Sequence, residues 1–220
     1  MSNSESASGP DEALVWHLVR HGETEWNRSR RIQGQTDIAL NQSGKHQITQ
    51  LGERLATSEF SAIYASDLSR TTESAQIIRG KRNVTVQVES ELREFSYGEW
   101  EGLTFEEAQA RDPEGFATRM AGRNVDFAAP GGENMLQLID RARRFHDRVR
   151  SQHKPGDQLL VVAHGGSLLA LLNCLLGLPA ERVWSFRLDV ASLSIVKSYS
   201  GVGVLELWND TSHHTRPHQR

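Results

Sequence analysis

Two histidines of this 220-residue chain stand in the same local setting. One ends Leu18-Val19-Arg20-His21-Gly22, the other ends Val161-Val162-Ala163-His164-Gly165. Each follows an apolar run and precedes a glycine, the pattern of a buried strand that stops just past the histidine. Ligands of open α/β sheets bind outside the carboxyl ends of the strands. If the two strands are parallel neighbours, His21 and His164 share one crevice. A metal is the first chemistry to weigh, but no Asp, Glu or Cys adjoins His164, and Arg20 beside His21 repels a cation. An anion fits better, because a guanidinium offers a fork of donors matched to phosphate oxygens. Arg70, in the first turn of an expected helix, adds a second guanidinium at that helix's positive end. An ion pair with Glu73 or Glu94 is its equal competitor. A lone histidine after a strand would be an ordinary surface residue; the recurrence is what gives these two weight.

The elements that would hold these residues alternate. Leu14 to Val19 reads as the first strand, Ala62 to Ala65 as the second, Val84 to Val88 as the third and Gln158 to Ala163 as a fully buried one. Between them lie helical patterns at Ser43 to Leu55, about Leu68 to Arg79 with Asp67 and Ser69 as cap types, and Glu133 to Gln152, the longest amphipathic stretch. An apolar helix follows His164 to Leu176, and Ser185 to Trp208 offers two or three closing strands. Asn27 to Asn41 is polar loop material. Leu92 to Gly102 is irregular, acidic and aromatic; Leu103 to Arg111 and a short segment from Asp112-Pro113 are helical. Strands alternating with helices give an α/β fold, three layers (α/β/α) with a mainly parallel central sheet.

Composition narrows the function. Net charge is −3, so no global basic field points to nucleic acid, and anion binding falls to local cations. One cysteine, Cys174, excludes an internal disulfide and a cysteine-based metal cluster. The longest apolar run, Leu168 to Leu176, is interrupted by Asn173 and is far short of a membrane span. Hydrophobic residues make up 37% of the chain, but they cluster, and 220 residues can bury a sizeable core. Residues 1–12 read as a disordered tail without the marks of a signal peptide, 13–210 as one domain, and 211–220, with three histidines, as a flexible tail. A cytoplasmic location is expected; the oligomeric state is open, a homodimer among the options.

Leu18-Val19-Arg20-His21-Gly22-Glu23-Thr24 resembles the signature of the histidine phosphatase superfamily, which includes cofactor-dependent phosphoglycerate mutase and many small-molecule phosphatases. The resemblance runs from about Ala13 to His213. It takes in Asn27, Gln33-Gly34, the SSDLxR-like Ser66-Asp67-Leu68-Ser69-Arg70, the acidic block Leu92 to Gly102, and Pro130-Gly131-Gly132-Glu133-Asn134. Asn134 stands where the family has Ser, and Val190-Ala191-Ser192-Leu193 lacks the family's Asn. The resemblance implies a phosphoglycerate mutase-like fold and transfer of a phosphoryl group to His21. Arg20, Arg70 and His164 would hold its oxygens, and Glu94 would be the proton donor; Glu91, Glu99 and Glu101 are competitors for that role. It implies contacts with substrate at Asn27, Gln33, Gly34, Tyr97 and Gly165, a small phosphorylated metabolite as partner, and neither metal nor cofactor.

Three functions compete: a phosphatase, a phosphoglycerate mutase, and a non-catalytic phosphate-binding module. The module would lack the nucleophile or the acid, and both are present. A mutase must shield phosphohistidine from water and hold a second anion. The segment available for a lid, about Gly98 to Pro130, is short beside the mutases this chain resembles, and Arg111, Arg119 and Arg123 are its cations. Hydrolysis is the expectation.

Overall fold

In the computed structural model, which describes residues 12–121, 124–200 and 202–214, the first apolar run forms strand β1 (Leu14–Arg20). Its side chains alternate as a strand's must: Leu14, Trp16 and Leu18 enter one core, Val19 the other. Strands β2 (Ala62–Ala65), β3 (Val86–Val88), β4 (Gln158–Ala163), β5 (Leu193–Ser198) and β6 (Gly203–Asp210) complete a sheet of order β3-β2-β4-β1-β5-β6. The first four of that order run parallel. The closing pair β5 and β6 is antiparallel, β5 also lying antiparallel against β1.

Helices cover both faces. On one, α6 (Met135–Gln152) turns Leu138, Ile139, Ala142, Phe145 and Val149 toward the sheet beside α7 (Gly165–Leu176). α7 is buried nearly all round, which is why it is apolar all round. On the other face, α2 (Gln42–Arg54) and α3 (Ser69–Arg79) bury Ile48, Leu51, Ala75 and Ile78. Three short helices lie nearer the carboxyl ends of the strands: α1 (Glu25–Arg28), α4 (Phe105–Arg111) and α5 (Pro113–Met120).

The structure alters several local expectations. The polar stretch after Asn27 begins inside α1, which a Thr24–Asn27 capping box starts. Neither Asp67 nor Ser69 caps α3. Leu68 holds that position without a side-chain bond, Asp67 pairs with Arg93 at 2.6 Å, and the Ser69 amide and hydroxyl donate to Asp37. Glu133 precedes α6 rather than opening it, and Asn134 is the cap. Thr211 to His214 pack back on the body, where the His213 ring meets the Ala191 carbonyl. Residues 1–11 and 215–220 of the expected tails, and Arg123, lie outside the described residues.

One close approach fixes where β1 ends. A Cβ on Gly22 would lie 2.5 Å from the Gly44 carbonyl oxygen, and one on Gly44 would lie 2.1 Å from that of Glu23. The chain leaving His21 therefore crosses the first turn of α2 in backbone contact, further tied by Asn41 N–H to the Glu23 carbonyl at 3.0 Å. Alanine in place of a helical glycine ordinarily gains about 1 kcal/mol. Here Gly44→Ala should lose about 1–3 kcal/mol in urea unfolding, because the two backbones must separate. Stability at or above that of the parent chain would show that the crossing has slack.

Candidate active site

β1 and β4 are paired neighbours, Arg20 opposite Ala163, and the His21 amide donates to the Ala163 carbonyl at 3.0 Å. The next residues out are thus His21 and His164, whose ring centroids lie 5.2 Å apart. Both are buried. The His21 ring meets the Gly22 carbonyl through Nδ1 at 2.7 Å. A carbonyl can only accept, so Nδ1 carries the proton and Nε2 keeps its lone pair. Burial, then Arg70 and Arg20, hold the His21 pKa well below the ordinary histidine value, so the ring is neutral at pH 7.

His164 is set the opposite way. Arg70 Nε donates to its Nδ1 at 3.1 Å, which places the proton on Nε2. That Nε2 is buried and has no hydrogen-bond partner among the described residues. Burial, then Arg70, His21 and Arg20, depress its pKa as well. The pair therefore presents one bare nitrogen and one N–H.

Arg70 is fully buried, and neither Glu73 nor Glu94 hydrogen-bonds to it, although the Glu94 charge acts on it against the effect of burial. Its other donors reach the Thr36 and Gly34 carbonyls, each at 2.8 Å, while Glu73 pairs with Lys45. Glu101 sets the loop that carries those carbonyls, accepting from the Gln35 and Thr36 amides, the Thr36 hydroxyl and the Tyr97 amide at 2.7–3.1 Å. Gly34 (φ +54) lies so close that a Cβ would sit 2.1 Å from Glu101 Oε1. Arg20 donates through Nη1 to the Leu188 carbonyl at 2.6 Å, and its buried Nε is unpartnered among the described residues.

Glu94 reaches the same place from the irregular segment. Its Oε1 accepts from the Phe95 amide at 2.7 Å and the Gly166 amide at 2.9 Å, in the first turn of α7. Gly165 lies between Arg20 and Glu94, 3.7 Å of space separating its Cβ direction from Arg20 Cζ and from Glu94 Oε2. From α6, Arg141 clamps the segment, donating to the carbonyls of Glu91, Arg93 and Glu94 and to the Glu133 carboxylate at 2.5–2.8 Å. Arg119 of α5 lies over Trp184 (4.1 Å), Phe95 (5.0 Å) and Tyr97 (5.7 Å). It joins the lid segment to Glu94's neighbours.

Arg20, His21, Arg70, Glu94, Asn27, Gln33, Gly34 and Tyr97 all line one cleft of about 260 Å³. His164 lies beneath them, and Gly165 is not part of the lining. Thr24 occupies Asn27 Oδ1 through its amide and hydroxyl, which leaves the Asn27 NH₂ as the group to face a ligand. Trp26, Arg30, Arg31, Ile32 and Phe105 complete the walls. Sequence reasoning did not name Trp26, Arg30, Arg31 or Ile32 as site residues, nor Arg141. Glu101 was within its reach as a rival for the acid. Among the described residues no three His, Cys, Asp or Glu side chains come together as a metal site. What this arrangement can do is bind a tetrahedral anion between guanidiniums and an N–H, facing an unprotonated imidazole nitrogen with a carboxyl group beside it.

The sequence profile of the histidine phosphatase superfamily (branch 1) matches residues 16–211. Phosphoglycerate mutase-like protein 4 of Arabidopsis thaliana is 35% identical over 199 residues, 89% of this chain and 85% of the relative. The α-ribazole phosphatase of Shigella flexneri superposes with a TM-score of 0.83 at 26% identity, over 92% of this chain and all of that one. A mycobacterial glucosyl-3-phosphoglycerate phosphatase, solved with VO3, superposes with a TM-score of 0.80 at 29% identity, over 90% and 99%.

Two neutral buried histidines make stability depend on pH. Below about pH 6.5 the unfolded chain protonates both rings, whereas the folded chain does not. The unfolded state then binds more protons, so stability rises with pH through this window and falls on acidification. Each histidine should contribute a slope approaching about 1.4 kcal/mol per pH unit between roughly pH 5 and 6. Denaturant titrations over that range should show the slope, and His164→Asn should remove its share. An unchanged slope in that variant would contradict the neutral, buried state of His164.

Proposed function

The chain belongs to branch 1 of the histidine phosphatase superfamily, and on that premise we propose that it hydrolyses a small phosphorylated metabolite through a phosphohistidine at His21. The observation that carries the reading is the pair of opposed tautomers. Nδ1–H of His21, held by the Gly22 carbonyl, frees Nε2 for in-line attack on phosphorus. Arg70, held by two carbonyls, turns Nε2–H of His164 into a donor for a phosphoryl oxygen. Arg20 and Arg70 take the remaining oxygens, where charge is spread in the transition state. As the His21 N–P bond forms, the ester P–O bond breaks and Glu94 gives its proton to the departing oxygen. In the second half, Glu94 takes a proton from water, whose oxygen attacks the phosphohistidine. The N–P bond breaks and inorganic phosphate leaves. Positive charge comes from side chains, so no step calls for a metal.

Hydrolysis is favoured over mutase chemistry by the state of the lid segment. Arg111 pairs with Glu99 at 2.7 Å, and Arg119 is stacked on aromatic rings, so the lid's two described cations are engaged and any anchor for a second anion lies outside the lid. The mouth of the cleft, with Arg30 and Phe105 exposed, admits water. The name of the Arabidopsis relative keeps the mutase as the second reading.

Quenching turnover of a labelled phosphomonoester without acid should trap an acid-labile, base-stable phosphoprotein, and vanadate should inhibit competitively as a five-coordinate mimic. Label that survives His21→Ala would overturn the assignment. Glu94→Gln should slow alkyl phosphates by about 10²–10⁴-fold and nitrophenyl phosphate far less, since nitrophenolate leaves without a proton. Equal losses would point to another acid. With 3-phosphoglycerate and catalytic 2,3-bisphosphoglycerate, phosphate release should outrun isomer interconversion; the reverse order would make the chain a mutase.

A further inference from the structure

The phosphoryl group of the proposed reaction is served by Arg20 and Arg70, yet four guanidiniums line the cleft, and Glu94 is the only carboxylate among the described lining residues. The surplus pair, Arg30 and Arg31, stands at the outer end. Arg31 is half-buried and engaged, its Nη1 donating to the Gly102 carbonyl at 2.7 Å and to Glu107 at 3.1 Å. Arg30 is exposed, and its side chain makes no hydrogen bond or salt bridge among the described residues. Glu106, itself fully exposed, is the carboxylate that feels its charge.

The backbone at Arg30 is unusual for such a residue. α1 ends with Arg30 N–H on the Asn27 carbonyl (3.2 Å) and Arg31 N–H on the Trp26 carbonyl (2.8 Å). That bond pair belongs to a helix stop whose left-handed residue is most often glycine. Here the position holds Arg30 at φ 55. A side chain kept where none is favoured points to a use for it. Beside it Trp26 and Phe105 offer aromatic faces, and Phe105, the first residue of α4, is 47% exposed.

We propose that the outer half of the cleft is a second anion subsite with Arg30 as its specificity-determining residue. The preferred substrate is then a phosphomonoester whose leaving group bears a carboxylate or similar anion on a flat or apolar body. This rests on the phosphatase reading for its substrate, but not for its binding test. The probes are 3- and 4-carboxyphenyl phosphate, each set against its neutral carboxamide of nearly the same shape. Binding is measured by calorimetry on the His21→Ala chain, where no turnover occurs, and kcat/KM on the intact chain. At least one carboxylate should bind, and be turned over, about tenfold better than its carboxamide. Arg30→Asn suits the left-handed backbone and should fold normally; it should abolish the acid-over-amide preference, read as the ratio of the two affinities measured on that variant. Arg30→Lys should keep most of the preference. Arg28→Gln, whose arginine pairs with Glu25 outside the lining, should keep all of it. Equal affinity for acid and amide, or a preference that survives Arg30→Asn, would overturn the subsite while leaving the phosphatase intact. Acid-selective binding with no turnover of any ester would do the opposite. Failure of all four compounds to bind would sink both.

Discussion

A fully buried guanidinium, that of Arg70, sets the terms for everything around it. Burying a charge is costly unless it is hydrogen-bonded. Arg70 is bonded entirely to neutral acceptors, the carbonyls of Gly34 and Thr36 and Nδ1 of His164. Three of its five N–H donors are used in this way, and none of the three acceptors is a carboxylate. That charge favours an anion in the cleft, and together with burial it keeps both neighbouring imidazoles neutral. The same bond to His164 decides which nitrogen of that ring can donate. A lysine at this position could not make the three directed bonds at once.

The rest of the architecture holds the partners of that charge in place. The register of β1 on β4 brings His21 to His164. The α2 crossing at Gly44 stops the chain where β1 ends. Glu101 shapes the loop whose carbonyls receive Arg70, and Arg141 gathers the carbonyls of the segment that carries Glu94. Arg119 then binds α5 to that segment by setting its charge over ring faces. A barrier that depends on sub-ångström placement of a nucleophile and an acid is therefore supported by main-chain contacts far apart in sequence.

What the sequence made legible follows from where the information sits. Two apolar runs ending in histidine declare two strand ends, and the alternation of strands with helices makes parallel neighbours of them. Arg20, Arg70 and Glu94 were readable through motif context. Arg141 was not, because a guanidinium that recognises backbone carbonyls leaves no partner side chain to spot. Glu101 was visible only as one carboxylate among several. The cap of α3 was misread because Asp67 and Ser69 have the right chemistry locally but tertiary partners, Arg93 and Asp37, take them. Arg30 looked like loop polarity, since the left-handed stop of α1 that aims it into the cleft is a property of the fold.

The central claim is that the two histidines are neutral and locked in opposite tautomers. Long-range ¹H–¹⁵N correlation spectra of the ring nitrogens at pH 7, assigned through His21→Ala and His164→Asn, test it directly. His21 should show a protonated Nδ1 and a bare Nε2, and His164 a bare Nδ1 and a protonated Nε2. An imidazolium pattern at either ring, or the same tautomer at both, would contradict it.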